Sequence, residues 1–477
     1  MNHWRRKILE HSRRHHEEPA LSRRETFSAA FLASASVLVL VDKVSGRHSV
    51  ALVALVLVLL PVVTSWRRIG GLSRLMSALA IIATLAFALT GGTLAAFLLA
   101  ASRALFLPAL LVMMTILQAS AQSSEPVARV ARFVVDQPPS RRFAMLTVAG
   151  HIFGMLLNLA GFRFLLAVAL DQCRQMTSDA DVLVIKERRV VNAVLCGFGA
   201  TIMWSPVGIA LNLLLPLMPD FDWIDYAPYG ICTVLVFVGL RFLFDSVGPR
   251  PMQKREPASR KGVVRATLQL IALLLGVTGG AALADVTLGI PMQGALLIVV
   301  PLAAIIWRLW CSPGPALGNL ADLATSSFRA MPKPVNEVSL VLATGYLGLI
   351  LVELIPMDSV RSLIGTLDLS PAGLCAVIVL LIAAFSMVGV SPMITGTVCV
   401  GAVLGTGLDI PYPMLLLSAL TGWAVGMMLS PVTATMIVTS AISGRPASQV
   451  GWRWNGAFTI TFTVLMLGAF TVWGWML

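Results

Sequence analysis

The tripeptide Ser-Pro-Val occurs twice in this chain, each time at the same spacing from a preceding glycine. Gly197-Phe198 is followed eight residues after the glycine by Ser205-Pro206-Val207, and Gly422-Trp423 is followed at the same spacing by Ser430-Pro431-Val432. Proline breaks a helix, and the half-helix that starts after the break has free N–H groups that attract an anion. A serine hydroxyl at such a break can bind an anion or a cation, and the carbonyls before it can ligate sodium.

The same phrase also has a structural interpretation. Each serine would cap a new helix start, with Pro206 or Pro431 at the first helical position. A single break of this kind is more often structural. Two copies in the two halves of a membrane chain favour a binding site, because paired broken helices line the substrate sites of proteins built from inverted repeats.

The two copies differ in polarity. Thr433 and Thr435 follow the second copy, where the first has Gly208 and Ala210. Hydroxyl groups suit oxyanions or sodium, although threonine in a membrane helix also bonds back to its own helix. We predict substrate or ion contacts, with sodium at the serine breaks as the only candidate metal, at Ser205, Pro206, Gly208, Ser430, Thr433 and Thr435.

The composition places these residues in membrane helices. The chain has 477 residues, of which 57% are hydrophobic and only 12% charged, and many apolar runs approach the length that crosses a bilayer. The net charge of +12 is concentrated in loops, so it indicates topology and lipid contact, and nucleic acid is not an expected partner. The six cysteines contain no CxxC and predict core packing, with no metal or disulfide framework.

Positive charge also predicts which side each loop occupies. With the basic tail 1–26 in the cytoplasm, the run 143–170 decides the later topology. If it crossed once, the basic segment 247–265 would lie outside. We therefore predict a re-entrant hairpin over 143–170, entering from the cytoplasm, with its tip at Gly150-His151-Ile152-Phe153-Gly154.

The second half contains a matching long run, 372–408, that breaks at Gly389-Val390-Ser391-Pro392. As a hairpin from the outer face, it makes 190–216 and 412–441 antiparallel, as inverted repeats require. We predict an all-α polytopic membrane protein of about 11 transmembrane helices: one extra N-terminal helix and two inverted-topology five-helix repeats, each with a re-entrant hairpin and a broken helix. The predicted divisions are the tail 1–26, the extra helix 27–48, repeat 1 over 49–246, the basic linker 247–265 and repeat 2 over 266–477.

The hairpins supply further candidate residues. Ser391, Thr395 and Thr397 would lie at the outer tip, and the single histidine beyond residue 48, His151, at the cytoplasmic tip. His151 could donate to an anion or carry a proton, or fix the hairpin through backbone hydrogen bonds. Arg163 could contact an anionic group or extend to the interface. Asn158 completes the set of predicted substrate or ion contacts.

This layout is similar to the divalent anion:sodium symporter family, the INDY-type dicarboxylate carriers, within the ion transporter superfamily. The resemblance covers 27–477 as architecture and implies segments lying along the membrane at 122–142 and 357–370. It also implies Ser-Asn-Thr hairpin tips that hold carboxylates and sodium. The outer tip here, Ser391-Pro392-Met393-Ile394-Thr395-Gly396-Thr397, departs from that pattern, and so does the inner tip. A homodimer is a further implication.

We expect a secondary active transporter that moves a small anionic solute, a carboxylate, across the inner membrane by alternating access. Sodium, or a proton through His151, would be the coupling ion. The alternatives are a permease or exporter for an inorganic oxyanion such as sulfate or arsenite, or a membrane scaffold. One membrane histidine and no central carboxylate argue against an enzyme, and no cofactor is expected. The N-terminus is expected in the cytoplasm and the C-terminus outside.

Overall fold

The computed structural model describes residues 21–46, 49–122, 124–175, 179–218, 220–248, 262–354, 362, 366 and 369–476. Most of the predicted basic tail 1–26, the basic linker 247–265 and the surface segment 357–370 lies outside these residues. The described residues form helices and connecting turns, with no strand among them. The predicted all-α polytopic fold is confirmed.

The helices are numbered here in chain order. The first half contains α1 Arg23–Ser45, α2 Ser49–Thr64, α3 Gly71–Leu89, α4 Leu94–Gln122, α5 Glu125–Val135, α6 Pro139–Gln175, α7 Ala180–Ala200, α8 Ile209–Leu214 and α9 Trp223–Val247. The second half contains α10 Val263–Leu288, α11 Met292–Cys311, α12 Ala316–Ala330, α13 Val335–Leu354, α14 Pro371–Met387, α15 Pro392–Gly405, α16 Tyr412–Leu429, α17 Ala434–Ser443 and α18 Asn455–Trp475.

Among the described residues, nine helical segments are long and apolar enough to cross a membrane. The number is ten if α12 and α13, which meet at a bend of 64°, count as one span. The expected eleven included α2, whose 16 residues make it one of the shorter apolar helices. Large apolar side chains such as Leu89, Leu283 and Val464 are exposed, as a lipid-facing surface requires.

Helix α6 is a helical hairpin whose chain reverses at Asn158. Asn158 has φ 51° and ψ −140°, whereas its neighbours are helical. The rings of Phe153 and Phe164 lie 6.4 Å apart, although eleven residues of straight helix would separate them by about 16 Å. At the open end of the hairpin, Gln172 donates a hydrogen bond to Asp136.

The predicted tip at Gly150–Gly154 is therefore wrong, because the helix continues through both glycines to Asn158. The glycines serve close packing instead. A Cβ added at Gly150 would lie 2.9 Å from the backbone oxygen of Val194, on α7. Gly150 and Gly154 therefore lie where α6 packs against α7, and the turn of the hairpin lies further along the chain.

A second hairpin is formed by α14 and α15, which pack against each other. Its turn is built by Gly389, which has a positive φ of 93°, and by Val390, whose N–H donates to Phe385 O at 3.0 Å. The Ser391 hydroxyl then accepts from Met393 N at 3.3 Å and caps α15. Both hairpins thus return the chain to the end of the molecule from which it entered.

The two ends of the molecule differ in charge. At the basic end, Arg129 Nη1 donates to Gly262 O at 3.2 Å, and Arg174 and Arg445 both bind Glu187. At the acidic end, burial, followed by the carboxylates of Asp225 and Asp220, raises the pKa of Asp222.

Contacts within each end join distant parts of the chain. The ring of Phe221 contacts Tyr412 at 5.7 Å, and Tyr229 stacks on Trp473 at 5.1 Å. At the basic end, Gly70 N donates to Asn336 Oδ1 at 2.7 Å. Segments to which the charge pattern gives the same side of the membrane are therefore in contact with each other.

The turn at Asn158 leads to a stability prediction. Glycine adopts a positive φ without strain, whereas a β-branched residue there costs about 1–3 kcal/mol. We expect Asn158→Gly to unfold at or above the wild-type temperature and Asn158→Val to lower the free energy of unfolding by that amount. Thermal unfolding of the purified protein measures both, with Ala160→Val at a helical position as the matched control. Equal stability of the two Asn158 variants would contradict the hairpin.

Candidate functional site

The first broken helix, named break 1 here, is the segment 204–208 between α7 and α8. Helix α7 tightens into a 3₁₀ turn over Thr201–Met203 and then stops, because Pro206 cannot donate a helical hydrogen bond. The freed carbonyls find side-chain donors. Tyr226 OH donates to Met203 O at 2.7 Å, and Trp223 Nε1 donates to Trp204 O at 2.8 Å.

Asn212, on the next helix α8, donates hydrogen bonds to two further carbonyls of break 1. Its amide donates to Gly208 O at 3.0 Å and also to Pro206 O. Gly208 itself begins α8 with extended backbone angles, φ −74° and ψ 137°. Four carbonyls around break 1 thus have protein donors, so any cation bound there would use their second lone pairs.

Ser205 is the exception within break 1. The residue is 0% exposed, and its hydroxyl has no hydrogen-bond partner among the described residues. Its backbone N–H is satisfied by Thr201 O at 3.1 Å. A buried hydroxyl without a partner costs free energy comparable to a lost hydrogen bond, so it is where a ligand, ion or water would be bound.

His151 lies against break 1 in the middle of the first arm of α6. Its Nε2 accepts from Trp204 Nε1 at 3.1 Å, which leaves Nδ1 to donate to Gly197 O at 3.2 Å. The imidazole also stacks on the Trp204 ring, with centroids 5.9 Å apart. Both ring nitrogens are therefore engaged in the neutral form, and the contact fixes the hairpin to the broken helix.

The second broken helix, named break 2, is the segment 430–433 between α16 and α17. Here the serine hydroxyl does have a partner, because Ser430 Oγ donates to Ser386 O at 2.6 Å on α14. Thr433 Oγ1 donates to Ser430 O at 3.3 Å. The two serines of the repeated phrase are thus unequal: Ser430 is tied to the second hairpin, and Ser205 is unbound.

The N-terminus of α17 is open at break 2. Thr433 is its N-cap residue but makes no side-chain cap hydrogen bond. Thr435, in the first turn, is 8% exposed, and no hydrogen bond to its hydroxyl is found in the described part of the chain. The first N–H groups of this ten-residue helix and the Thr435 hydroxyl together form a donor cluster at the positive end of the helix dipole.

Some of the remaining predicted residues use their side chains in local hydrogen bonds, and others do not. Thr397 Oγ1 bonds back to Met393 O at 2.9 Å, and Asn158 Oδ1 accepts from Leu159 N at 2.8 Å, so both serve local structure. Thr395 is buried on α15, with no hydrogen bond to its hydroxyl in the described ranges. Arg163 is exposed on the returning arm of α6.

The glycines of the repeated phrase hold each hairpin against its broken helix. A Cβ at Gly422 would lie 2.9 Å from Val379 O on α14, and one at Gly197 would overlap Thr147 O on α6. Thr147 lies eleven residues before Asn158, and Val379 lies ten residues before Gly389, the residue with positive φ in each turn. In each half, a glycine of the repeated phrase therefore contacts the backbone of the first arm of a hairpin.

The two halves also cross over. Hairpin α6 contacts not only α7 but also α17, the short helix after break 2. Helix α15 of the second hairpin contacts α8, the short helix after break 1. The helices before the two breaks are also in contact, because α16 packs on α7 and on the turn Thr201–Met203. Breaks and hairpins thus form one central assembly.

Sequence reasoning missed a buried carboxylate at the basic end of this assembly. Glu187 is 2% exposed and accepts from Arg174 at 3.1 Å and from Arg445 at 2.7 Å. Arg174 Nη2 also donates to Ser443 O at 2.7 Å, at the end of α17. The predicted run 190–216 began too late, because the charges at 186–189 hide the start of a helix that begins at Ala180.

Sequence reasoning also missed the side chains that donate to the carbonyls of break 1, namely Asn212, Trp223 and Tyr226. A signal for them was present. Asn212 is the lone amide in an apolar segment six residues after Pro206, and tryptophan and tyrosine carry the polar hydrogens that buried carbonyls need.

The glycine contacts predict an asymmetry between two neighbouring alanine variants. Gly197→Ala would force apart the backbones of α6 and α7, and we expect the free energy of unfolding to fall by about 2 kcal/mol or more. Gly199→Ala is the matched control, because the added Cβ would meet the flexible end of Met427 at 3.0 Å and the Phe237 ring at an ordinary contact distance of 3.6 Å. Thermal unfolding of both proteins tests this, and equal losses would contradict the close contact at Gly197.

Comparison with known proteins shows the fold. No protein-family model matches the chain, and no curated protein matches it. The structure is similar to the crystal structure of the YdaH transporter of Alcanivorax borkumensis, which is described as having an unusual topology. The TM-score is 0.51 at 16% sequence identity, over 76% of this chain and 83% of the YdaH chain. The chain is a multi-pass membrane protein whose fold is similar to that of the YdaH transporter.

Proposed function

We propose that this protein is a secondary active transporter that moves a small anionic solute, a carboxylate, by alternating access. The observation that carries the proposal is the paired arrangement of breaks and hairpins. Each hairpin is held against the broken helix of its own half by a glycine contact and touches the short helix after the other break. Matched broken helices at a repeat interface are where secondary transporters bind their substrates.

In this proposal, 49–246 and 266–477 are inverted repeats and α1 is the extra helix. The matching contacts of Gly197 and Gly422, each eight residues before the serine of Ser-Pro-Val, support the repeat. The basic end faces the cytoplasm, since arginines are enriched there and the aspartates lie at the opposite end. In a bacterial cell this would place the protein in the inner membrane, with its C-terminus outside.

The chemistry of break 2 supports an anionic substrate. The uncapped N-terminus of α17 presents backbone N–H groups, and Thr435 adds a buried hydroxyl. A helix N-terminus of this kind favours a carboxylate or another oxyanion. Thr395 and Ser205 supply further buried hydroxyls on the adjoining elements.

The coupling ion that the geometry favours is sodium. A proton carried by His151 would have to displace the hydrogen bond from Trp204 Nε1, because Nε2 is the acceptor in that bond. Sodium needs only oxygen ligands. The Ser205 hydroxyl is such a ligand without a partner in the described residues, and the carbonyls of break 1 have further lone pairs.

Uptake into proteoliposomes tests this function. Radiolabelled succinate and sulfate are offered separately, each with an imposed sodium gradient, an imposed proton gradient or neither. We expect succinate uptake that is driven by sodium. Uptake of sulfate alone would favour the inorganic oxyanion, and uptake driven only by protons would contradict sodium coupling.

Two serine variants test the site within the same assay. Because the Ser205 hydroxyl makes no hydrogen bond within the described residues, Ser205→Ala is expected to leave thermal stability unchanged. We expect kcat/KM to fall about 10-fold or more, because the proposed sodium site loses one oxygen ligand. Ser430→Ala removes the bond to Ser386 O and is expected to lower stability by about 1 kcal/mol as well.

The matched control is Ser418→Ala, since Ser418 is equally buried, donates to Leu415 O in its own helix and lies twelve residues before Ser430. It is expected to transport normally. Full transport by the Ser205→Ala and Ser430→Ala double variant would overturn the assignment of the site to the breaks.

A further inference from the structure

A cavity of about 430 Å³ lies at the basic end, away from the breaks. It is enclosed by the start of α1, the end of α2 with the loop that follows, and the link between α12 and α13. Four cationic residues line it, Arg24, Arg68, Arg329 and Lys333, together with a single acid, Glu25. The proposed transport mechanism makes no use of this cavity.

Glu25, the one acid among the lining residues, interacts with Arg68 but is held mainly by Ser22. The Glu25 carboxylate accepts from Ser22 N at 2.9 Å and from Ser22 Oγ at 2.7 Å, so it is engaged in the capping box of α1. In the part of the chain that the structure describes, the Arg24 and Arg329 guanidinium groups make no hydrogen bond or ion pair. Converging cations with spare donors need an anion to bind between them.

Hydrogen bonds within the cavity wall orient its polar groups. Asn336 Oδ1 accepts from Gly70 N at 2.7 Å and from Ser73 Oγ at 2.9 Å. This fixes the amide group and leaves its Nδ2 donors for a ligand. Ser65 adds a hydroxyl to the wall, whereas the Thr64 hydroxyl donates to Leu60 O at 2.9 Å in its own helix. The wall therefore offers planar guanidinium, amide and hydroxyl donors, which together match a phosphate group.

The surroundings of the cavity are apolar and exposed. Trp66 lies between lining residues Ser65 and Arg68 and is 38% exposed. Phe27, one turn after Arg24, is 62% exposed, and Val63 is 65% exposed. Exposed aromatic and aliphatic side chains beside cations are typical of the membrane–water interface, where acyl chains lie beside their headgroups.

We propose that this cavity binds the phosphate of an anionic phospholipid, with the acyl chains along the exposed apolar surface of α1 and α2. A free phosphate ion has the same oxyanion chemistry, but it would gain nothing from the exposed residues Phe27, Val63 and Trp66. Basic pockets between membrane helices on the cytoplasmic side bind lipid headgroups in this way. The lipid would join α1 to the α12–α13 link, and the inference does not depend on the transported substrate.

Native mass spectrometry of the purified full-length protein tests the proposal. The protein is titrated with phosphatidylglycerol, phosphatidylcholine or sodium phosphate, and retained lipid is counted as a function of concentration. We expect phosphatidylglycerol to bind in preference to phosphatidylcholine. We also expect it to stay bound when millimolar sodium phosphate is added.

The decisive comparison is between adjacent arginines. Each arginine near an anionic surface is worth about five-fold in affinity, so Arg68→Gln with Arg329→Gln should weaken phosphatidylglycerol binding about 25-fold. Arg67→Gln is the matched control, because Arg67 is exposed and does not line the cavity, and it should bind as the wild type does. Thermal unfolding without lipid shows that each variant is folded.

Three results would overturn the proposal. One is wild-type affinity in the Arg68→Gln and Arg329→Gln protein, and another is an equal loss in Arg67→Gln. The third is displacement of the lipid by millimolar phosphate, which would assign the cavity to the free ion.

Discussion

A backbone group freed by a broken helix must find a partner inside the protein when the break lies in an apolar interior. At break 1, Tyr226, Trp223 and Asn212 provide donors for the carbonyls that the helix abandons. Each unsatisfied group in such surroundings would cost several kcal/mol. These side chains come from α8 and α9, so the break determines how the following helices pack. The Ser205 hydroxyl differs from these carbonyls, because it has no hydrogen-bond partner among the described residues.

The same constraint explains the hairpins. Their first arms must approach the broken helices closely enough for the Ser430 hydroxyl to reach Ser386 O and for His151 to reach both Gly197 O and Trp204. Gly197 and Gly422 make that approach sterically possible. Small residues at helix contacts are the usual means of close packing in membranes, where hydrophobic burial offers little driving force.

The ends of the assembly differ in what holds them. Near the breaks, the contacts are neutral hydrogen bonds and glycine packing, whereas the basic end is tied by the buried Glu187 carboxylate between Arg174 and Arg445. This carboxylate joins the end of hairpin α6 to the start of α7 and the end of α17. The Glu187 side chain is buried, whereas those of Arg174 and Arg445 are partly exposed, so loss of either arginine would leave a buried carboxylate with one partner fewer.

The sequence contained much of this architecture. The apolar runs and the charge pattern were enough to predict an all-α membrane protein, and the repeated phrase led to the breaks. The sequence-based prediction misplaced the tip of the first hairpin, because Gly150 and Gly154 look like a turn when the partner helix is unknown. Within α6, the residue that adopts a positive φ is Asn158. Glu187 was missed because hydropathy excludes a charged helix start whose charges are paired only in three dimensions. Ser205 and Ser430 differ because the Ser430 hydroxyl donates to Ser386 O and the Ser205 hydroxyl has no partner among the described residues. The spacing of the sequence does not reveal that contact.

Accessibility of position 205 tests the central claim, that the breaks form one site reached in turn from both sides of the membrane. Ser205→Cys is introduced into protein whose six native cysteines are replaced, and a membrane-impermeant maleimide is applied to right-side-out and to inside-out vesicles. The account predicts labelling in both orientations and protection by the transported anion in each. Absence of labelling in both, or labelling that the anion does not change, would contradict it.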